Sequence, residues 1–166
     1  MQSILRLKIM KKLFLTILMS VLGFIEINAQ TVSRTILKSG TWEKIYPECN
    51  YSTTKMHFDE TKMYWDVYYF YNKETITEVD TYYLSDTLPD TFDKSRVGNV
   101  NNGKYIVLLN TNMRKGEKRE FMTCFEVLNV TNDELRVRDC YVSPNTIGET
   151  GEIYVFKKVK EKSREK

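Results

Sequence analysis

Of the side chains that do nucleophilic, acid–base or metal chemistry, this 166-residue sequence offers one histidine, His57, and three cysteines, Cys49, Cys124 and Cys140. His57 alternates with Met56 and Phe58 in a strand-like run, so it is expected to point outward as a solvated residue, not to serve as a base or ligand. A zinc site needs spaced clusters such as Cys-x-x-Cys, and none is present. Nor is there a Gly-rich phosphate loop, a Gly-x-Ser-x-Gly elbow or a His-Glu-x-x-His helix. The acidic pairs Asp59-Glu60 and Asp133-Glu134 fall in polar turn segments, where Asp bonds its own backbone. The expectation is a protein that is not an enzyme, with no catalytic residue, no metal and no cofactor.

Cys124 and Cys140 lie on consecutive strand-like runs flanking the turn 131–134, on the parity of Glu126, Arg136 and Arg138. An irregular turn would bring them opposite each other, making them the candidate disulfide; three free thiols are the alternative. At most one intramolecular bridge can form, so at least one thiol remains.

The first 29 residues have the form of a secretory signal peptide. Met10-Lys11-Lys12 is a short basic segment, Leu13 to Ile25 is almost unbroken apolar sequence, and Asn28-Ala29 places a small residue before Gln30. That apolar run is shorter than the roughly 20 residues that span a bilayer. No cysteine stands near the cleavage point, so a lipoprotein is not expected. Met10 is an alternative start. The expected location is therefore outside the cytoplasm, periplasmic or secreted, in an oxidising space.

The leader carries Arg6, Lys8, Lys11 and Lys12 against Glu26, so the 25 basic and 22 acidic residues of the whole chain become 21 and 21 after its removal. The net charge of +3 belongs to the leader, and nucleic-acid binding is not expected. Lys157 to Lys166 holds six basic residues and two acids, and residues 161–166 read as a solvated basic tail.

The remainder, residues 30–160, reads as one all-β domain. Phe, Trp and Tyr make up 13% of the chain, and aromatic residues suit half-buried pleated strands. Apolar residues recur every second position, with turn chemistry every 8–14 residues. The expected strands are Thr41–Tyr46, Thr53–Phe58, Lys62–Tyr71, Thr75–Leu84, a brief one at Val97–Val100, Lys104–Leu109, Glu120–Val130, Leu135–Val142 and Ile153–Val159. Asn102-Gly103 is a strong hairpin signal. Residues 85–93 form a loop long enough to be a lid or a simple crossing. Eight or nine antiparallel strands joined by short turns must hide an apolar face and two edges, and closing into a small up-and-down barrel does both. A two-sheet sandwich is the competing arrangement.

Gly40-Thr41-Trp42-Glu43, at the start of the first strand, resembles the Gly-x-Trp signature that opens lipocalins. Gly103-Lys-Tyr-Ile-Val107, the run from Phe125 to Val137, and Gly151 to Val159 resemble the lipocalin-like domain of small exported bacterial proteins. The resemblance covers roughly residues 37–160. It implies a calycin-type barrel whose Trp42 closes one end, with Lys157 or Lys158 the candidate basic residue over that ring. It also implies Cys49–Cys140 as a competing disulfide, because lipocalin-type bridges often tie a late segment to an early loop. The chain departs from the family in lacking a Thr-Asp-Tyr segment.

Two functions follow. In the first, the lumen holds a small hydrophobic or aromatic ligand on Trp42, Met56, Phe58, Met63, Trp65, Val67, Tyr69, Tyr83, Tyr105, Val107, Phe125 and Val137. In the second, these side chains fill a solid core and the protein acts as an interaction or inhibitor-like module through loops 85–95, 110–118 and 143–151. Exposure of Leu88, Pro89 and Phe92 would favour the second.

Overall fold

The computed structural model describes residues 30–114, 117–140 and 150–160. The expected leader and basic tail, and most of the loop 143–151, lie outside the described residues.

Among the described residues, ten strands, one short helix and one 3-10 turn follow one another as β1 (Val32–Ser33), α1 (Arg34–Lys38), β2 (Trp42–Tyr46), β3 (Ser52–Phe58), β4 (Lys62–Tyr69), β5 (Glu74–Ser85), the 3-10 turn Lys94–Arg96, β6 (Asn102–Gly103), β7 (Tyr105–Arg114), β8 (Glu117–Val130), β9 (Glu134–Cys140) and β10 (Thr150–Lys158). Eight of the strands close into an antiparallel barrel in the order β10-β2-β3-β4-β5-β7-β8-β9, so each pairs with its neighbours in sequence and β10 returns to β2. Closure leaves no unpaired edge among these eight, which removes the liability of an open meander. The sandwich is excluded.

One end of the barrel is packed solid. Trp42, Met56, Phe58, Met63, Tyr82, Leu84, Ile106, Leu108, Val127, Leu135, Val137 and Phe156 form one buried cluster, and Val32 and Leu37 join it from β1 and α1. The segment 32–38 is thus a plug. Ser33 caps its helix by accepting from Ile36 N at 3.2 Å, and the buried Trp42 indole N–H donates to Leu37 O at 2.9 Å. Arg34 is 6% exposed, donates to Gly98 O at 2.7 Å and to Val100 O, and pairs with Glu60 at 3.5 Å. Periodicity was no guide to this plug, because a five-residue helix is too short to display a period.

Two local expectations are corrected. Val97–Val100 is not a strand: its carbonyls at Gly98 and Val100 receive the Arg34 guanidinium instead of a neighbouring strand. Asn102-Gly103 does not turn a hairpin; it forms β6 and pairs with β1 through Val32↔Gly103 and Ser33↔Asn102. The long connection after β5 is a crossing and not a lid. It lies on the outer wall, where Leu88, Phe92 and Val97 pack against Tyr83, Val107 and Cys124.

Candidate functional site

The candidate site is the other end of the barrel, and the β4–β5 register builds it. Asn72 and Lys73, the latter at a φ of 57°, turn the chain tightly between these strands, with Lys73 N donating to Tyr69 O at 3.0 Å. That turn pairs Met63 with Asp80, Trp65 with Glu78 and Val67 with Ile76. Paired residues share a face, so Asp80 and Glu78 come to the inner face with Trp65. Across the next two ladders, Tyr82↔Leu108 sets the parity of β7 and Leu108↔Thr123 that of β8, which brings Asn110 and Thr123 inward beside Asp80.

These residues, with Lys44, Thr54, Val67, Leu108, Phe125 and Tyr154, line a cavity of about 290 Å³. That is at the lower edge of the roughly 300–1,000 Å³ typical of small-molecule sites. Its aromatic wall is continuous. Trp65 meets Phe125 at 6.1 Å between ring centroids and Phe156 at 6.0 Å, and Phe125 meets Tyr154 edge-on at 6.0 Å. Lys44 Nζ stands 5.8 Å from the Tyr154 centroid.

Asp80 is 5% exposed. With its nitrogen turned toward Asp80, the Asn110 amide donates to the two carboxylate oxygens at 2.8 and 3.0 Å and accepts from Thr123 Oγ1 at 2.7 Å. Among the described residues no lysine or arginine forms an ion pair with Asp80. Burial, and then the charge of Glu78, push its carboxyl up to about 6, against the opposing pull of a Trp65 hydrogen bond and of Lys62. On the far side of the opening, burial and the Glu152 carboxylate push the Tyr154 hydroxyl up to about 12, and burial followed by Glu152 raises Asp139. The mouth therefore combines aromatic walls with one deeply seated, amide-held carboxylate.

Of the twelve residues expected in the lumen, Trp42, Met56, Phe58, Met63 and Val137 lie in the packed half. Trp65, Val67 and Phe125 line the cavity, and Tyr69 shares their inner parity at the rim, opposite Ser52. Tyr83, Tyr105 and Val107 are corrected. They face outward, under the crossing loop, with Arg96 stacked 4.9 Å above the Tyr83 ring. The inner positions of β5 and β7 are Tyr82, Leu84, Ile106 and Leu108. Both faces of these strands are apolar because the loop buries the outer one, so alternation alone does not distinguish inside from outside. Sequence reasoning also missed Asp80, Glu78, Asn110, Thr123, Lys44, Thr54 and Tyr154. The signal for the first two was the tight turn at Asn72-Lys73, which fixes the β4–β5 register.

His57 stands on the outer wall, stacked on Tyr64 at 4.5 Å between centroids and 3.6 Å from Asp66. Among the described residues no group of three or more His, Cys, Asp or Glu is placed to hold a metal ion, and no helix is long and apolar enough to cross a membrane. Cys124 and Cys140 are register partners, brought opposite by an irregularity between Val127 and Asn129, and all three cysteines are free thiols. The Cys124 thiol is raised and the Cys140 thiol lowered by the hydrogen bond between them. Cys49 lies apart, 3.1 Å from Ser52 Oγ.

Fold and site together define a class: a closed, eight-stranded, meander-ordered antiparallel barrel, plugged at one end and hollow at the other. Compared with protein-family models, with the curated proteins and with the solved structures, the chain matches none.

Proposed function

We propose that this is an exported, non-enzymatic, lipocalin-like barrel that holds one small ligand with an aromatic or apolar face in its open half. The observation that carries the reading is the division of the lumen. Solid packing over the Trp42 half gives way to a cavity of about 290 Å³ walled by Trp65, Phe125 and Tyr154. Such a rigid floor under an open, ring-lined mouth is suited to holding a flat apolar group and orienting it by a few polar contacts. Export is supported by the signal-like residues 1–29. The lipocalin likeness is supported by the strand order, by Trp42 at the plugged end and by Lys158, which pairs with Trp42 and lies against Gly40. The loop-mediated alternative loses its main support, because Leu88 and Phe92 pack onto the barrel wall.

The test is titration with the neutral fluorophore N-phenyl-1-naphthylamine. Saturable one-to-one uptake is expected, weakened at least ten-fold by Trp65→Ala and by Val67→Trp, which fills the mouth without removing apolar volume. Uptake that does not saturate, or that ignores both substitutions, refutes the lumen reading.

A further inference from the structure

The same cavity also bears on the polar end of its ligand, an inference that rests on the lumen being a binding site. We propose that the lumen selects a protonated amine carried on an aromatic or apolar body, with the ammonium group at the Asp80 carboxylate and the rings of Trp65, Phe125 and Tyr154 around the rest.

A carboxylate moved out of water needs a cation or a full set of donors. Asp80 is nine-tenths buried at the floor of a cavity, and among the described residues the Asn110 amide donates to it. No lysine or arginine among the described residues pairs with it. Lys44, the one cation among the described residues that line the cavity, is half-buried and held over the Tyr154 ring. Thr123 and Asn110 pin the carboxylate in place, so the group is prepared for a partner that the fold does not itself supply. Aromatic faces beside it add to the preference, since the π-cloud of Trp or Tyr attracts a cation directly. A carboxylic acid in the same place would meet Asp80 and Glu78 as like charges, and a neutral alcohol would donate a hydrogen bond to Asp80 without bringing the positive charge that offsets its burial.

The amine stays protonated below about pH 10, so the pH dependence comes from the protein. Asp80 is mostly protonated at pH 5 and mostly ionised at pH 7, because burial and Glu78 hold its carboxyl near 6. The other charged or titratable groups around it are Glu78 on its own strand, Lys62 on β4, Lys44 on β2 and Tyr154 on β10. Amine affinity is expected to rise about ten-fold from pH 5 to pH 7, the ratio of the ionised fractions of a group titrating near 6.

Isothermal titration calorimetry with 2-phenylethylamine, 2-phenylethanol and 3-phenylpropionate makes the test, on the full mature chain and on Asp80→Asn. The amine should bind at least ten-fold more tightly than the alcohol and more tightly than the acid, and Asp80→Asn should erase the amine's advantage over the alcohol. The pH series on the unsubstituted protein is independent of how the variant folds. The amine should gain about ten-fold between pH 5 and 7, and the alcohol should not change. Equal binding of amine and alcohol, preference for the acid, or a flat pH series overturns the amine and leaves the lumen reading standing. Absence of amine binding with uptake of the naphthyl probe intact does the same. Failure of all four molecules removes both.

Discussion

Replacing Asp80 by Asn should stabilise the protein at neutral pH and do so less in acid. The carboxyl keeps its proton to about pH 6 in the fold, where the ordinary value is 3.8. Between those values the folded chain binds more protons than the unfolded one, so stability falls as pH rises from about 4 to about 6 and stays low above. This is opposite in sign to a salt-bridged carboxylate, whose contribution is lost on acidification. Each pH unit between the two states is worth about 1.36 kcal/mol, which bounds the loss near 3 kcal/mol. Water reaching the open mouth screens part of it, and at pH 4.5 the open chain is already largely ionised, so about 1–2 kcal/mol is expected between pH 4.5 and 7.5. Asn keeps the shape and cannot ionise. Urea unfolding of both proteins at the two pH values isolates the charge, since any loss of the Asn110 contact enters at both and cancels. The advantage of Asp80→Asn should grow by about 1–2 kcal/mol at pH 7.5, or several degrees in Tm for a domain of this size. Parallel pH profiles for the two proteins would refute the claim that Asp80 is an uncompensated buried charge.

Gly103→Ala should cost about 1–3 kcal/mol in urea unfolding, because an added Cβ falls 2.4 Å from Ser85 N and 2.7 Å from Ser85 O, and backbone cannot swing aside. Arg34→Ala should cost about 2–4 kcal/mol by leaving the Gly98 and Val100 carbonyls without their donor, and Arg34→Lys should recover little of it; an unchanged urea midpoint in either Ala variant would mean the plug does not close the barrel. Trp42→Phe should cost about 1–3 kcal/mol by the same assay, since it leaves the buried Leu37 carbonyl unpaired. Mild oxidation should join Cys124 to Cys140 and leave Cys49 open to alkylation, read by non-reducing mass spectrometry; the roughly 15-residue loop it closes predicts about 3 kcal/mol of added stability. A Cys49–Cys140 link would count against the register.

The barrel itself was legible because its cause is local. Alternation in 53–58, 62–69 and 120–130 dictates strands, short polar turns between them dictate antiparallel neighbours, and eight such strands hide their edges by closing. Met56 and Met63 were placed on the inner face for the same reason, because Lys55 and His57 mark the other face of the one strand as polar and Lys62 and Asp66 that of the other. Tyr83, Tyr105 and Val107 were not, because the partner that buries them is a loop whose docking depends on contacts between residues distant in sequence. Asp80 shows the difference most clearly. Its charge argued for the outer surface, yet pairing opposite Met63 turned it inward beside Asn110 and Thr123. Hydrophobic period is a property of one strand, whereas the side of the wall a charge occupies is set by the hydrogen-bonded register of several, and only the closed barrel supplies that.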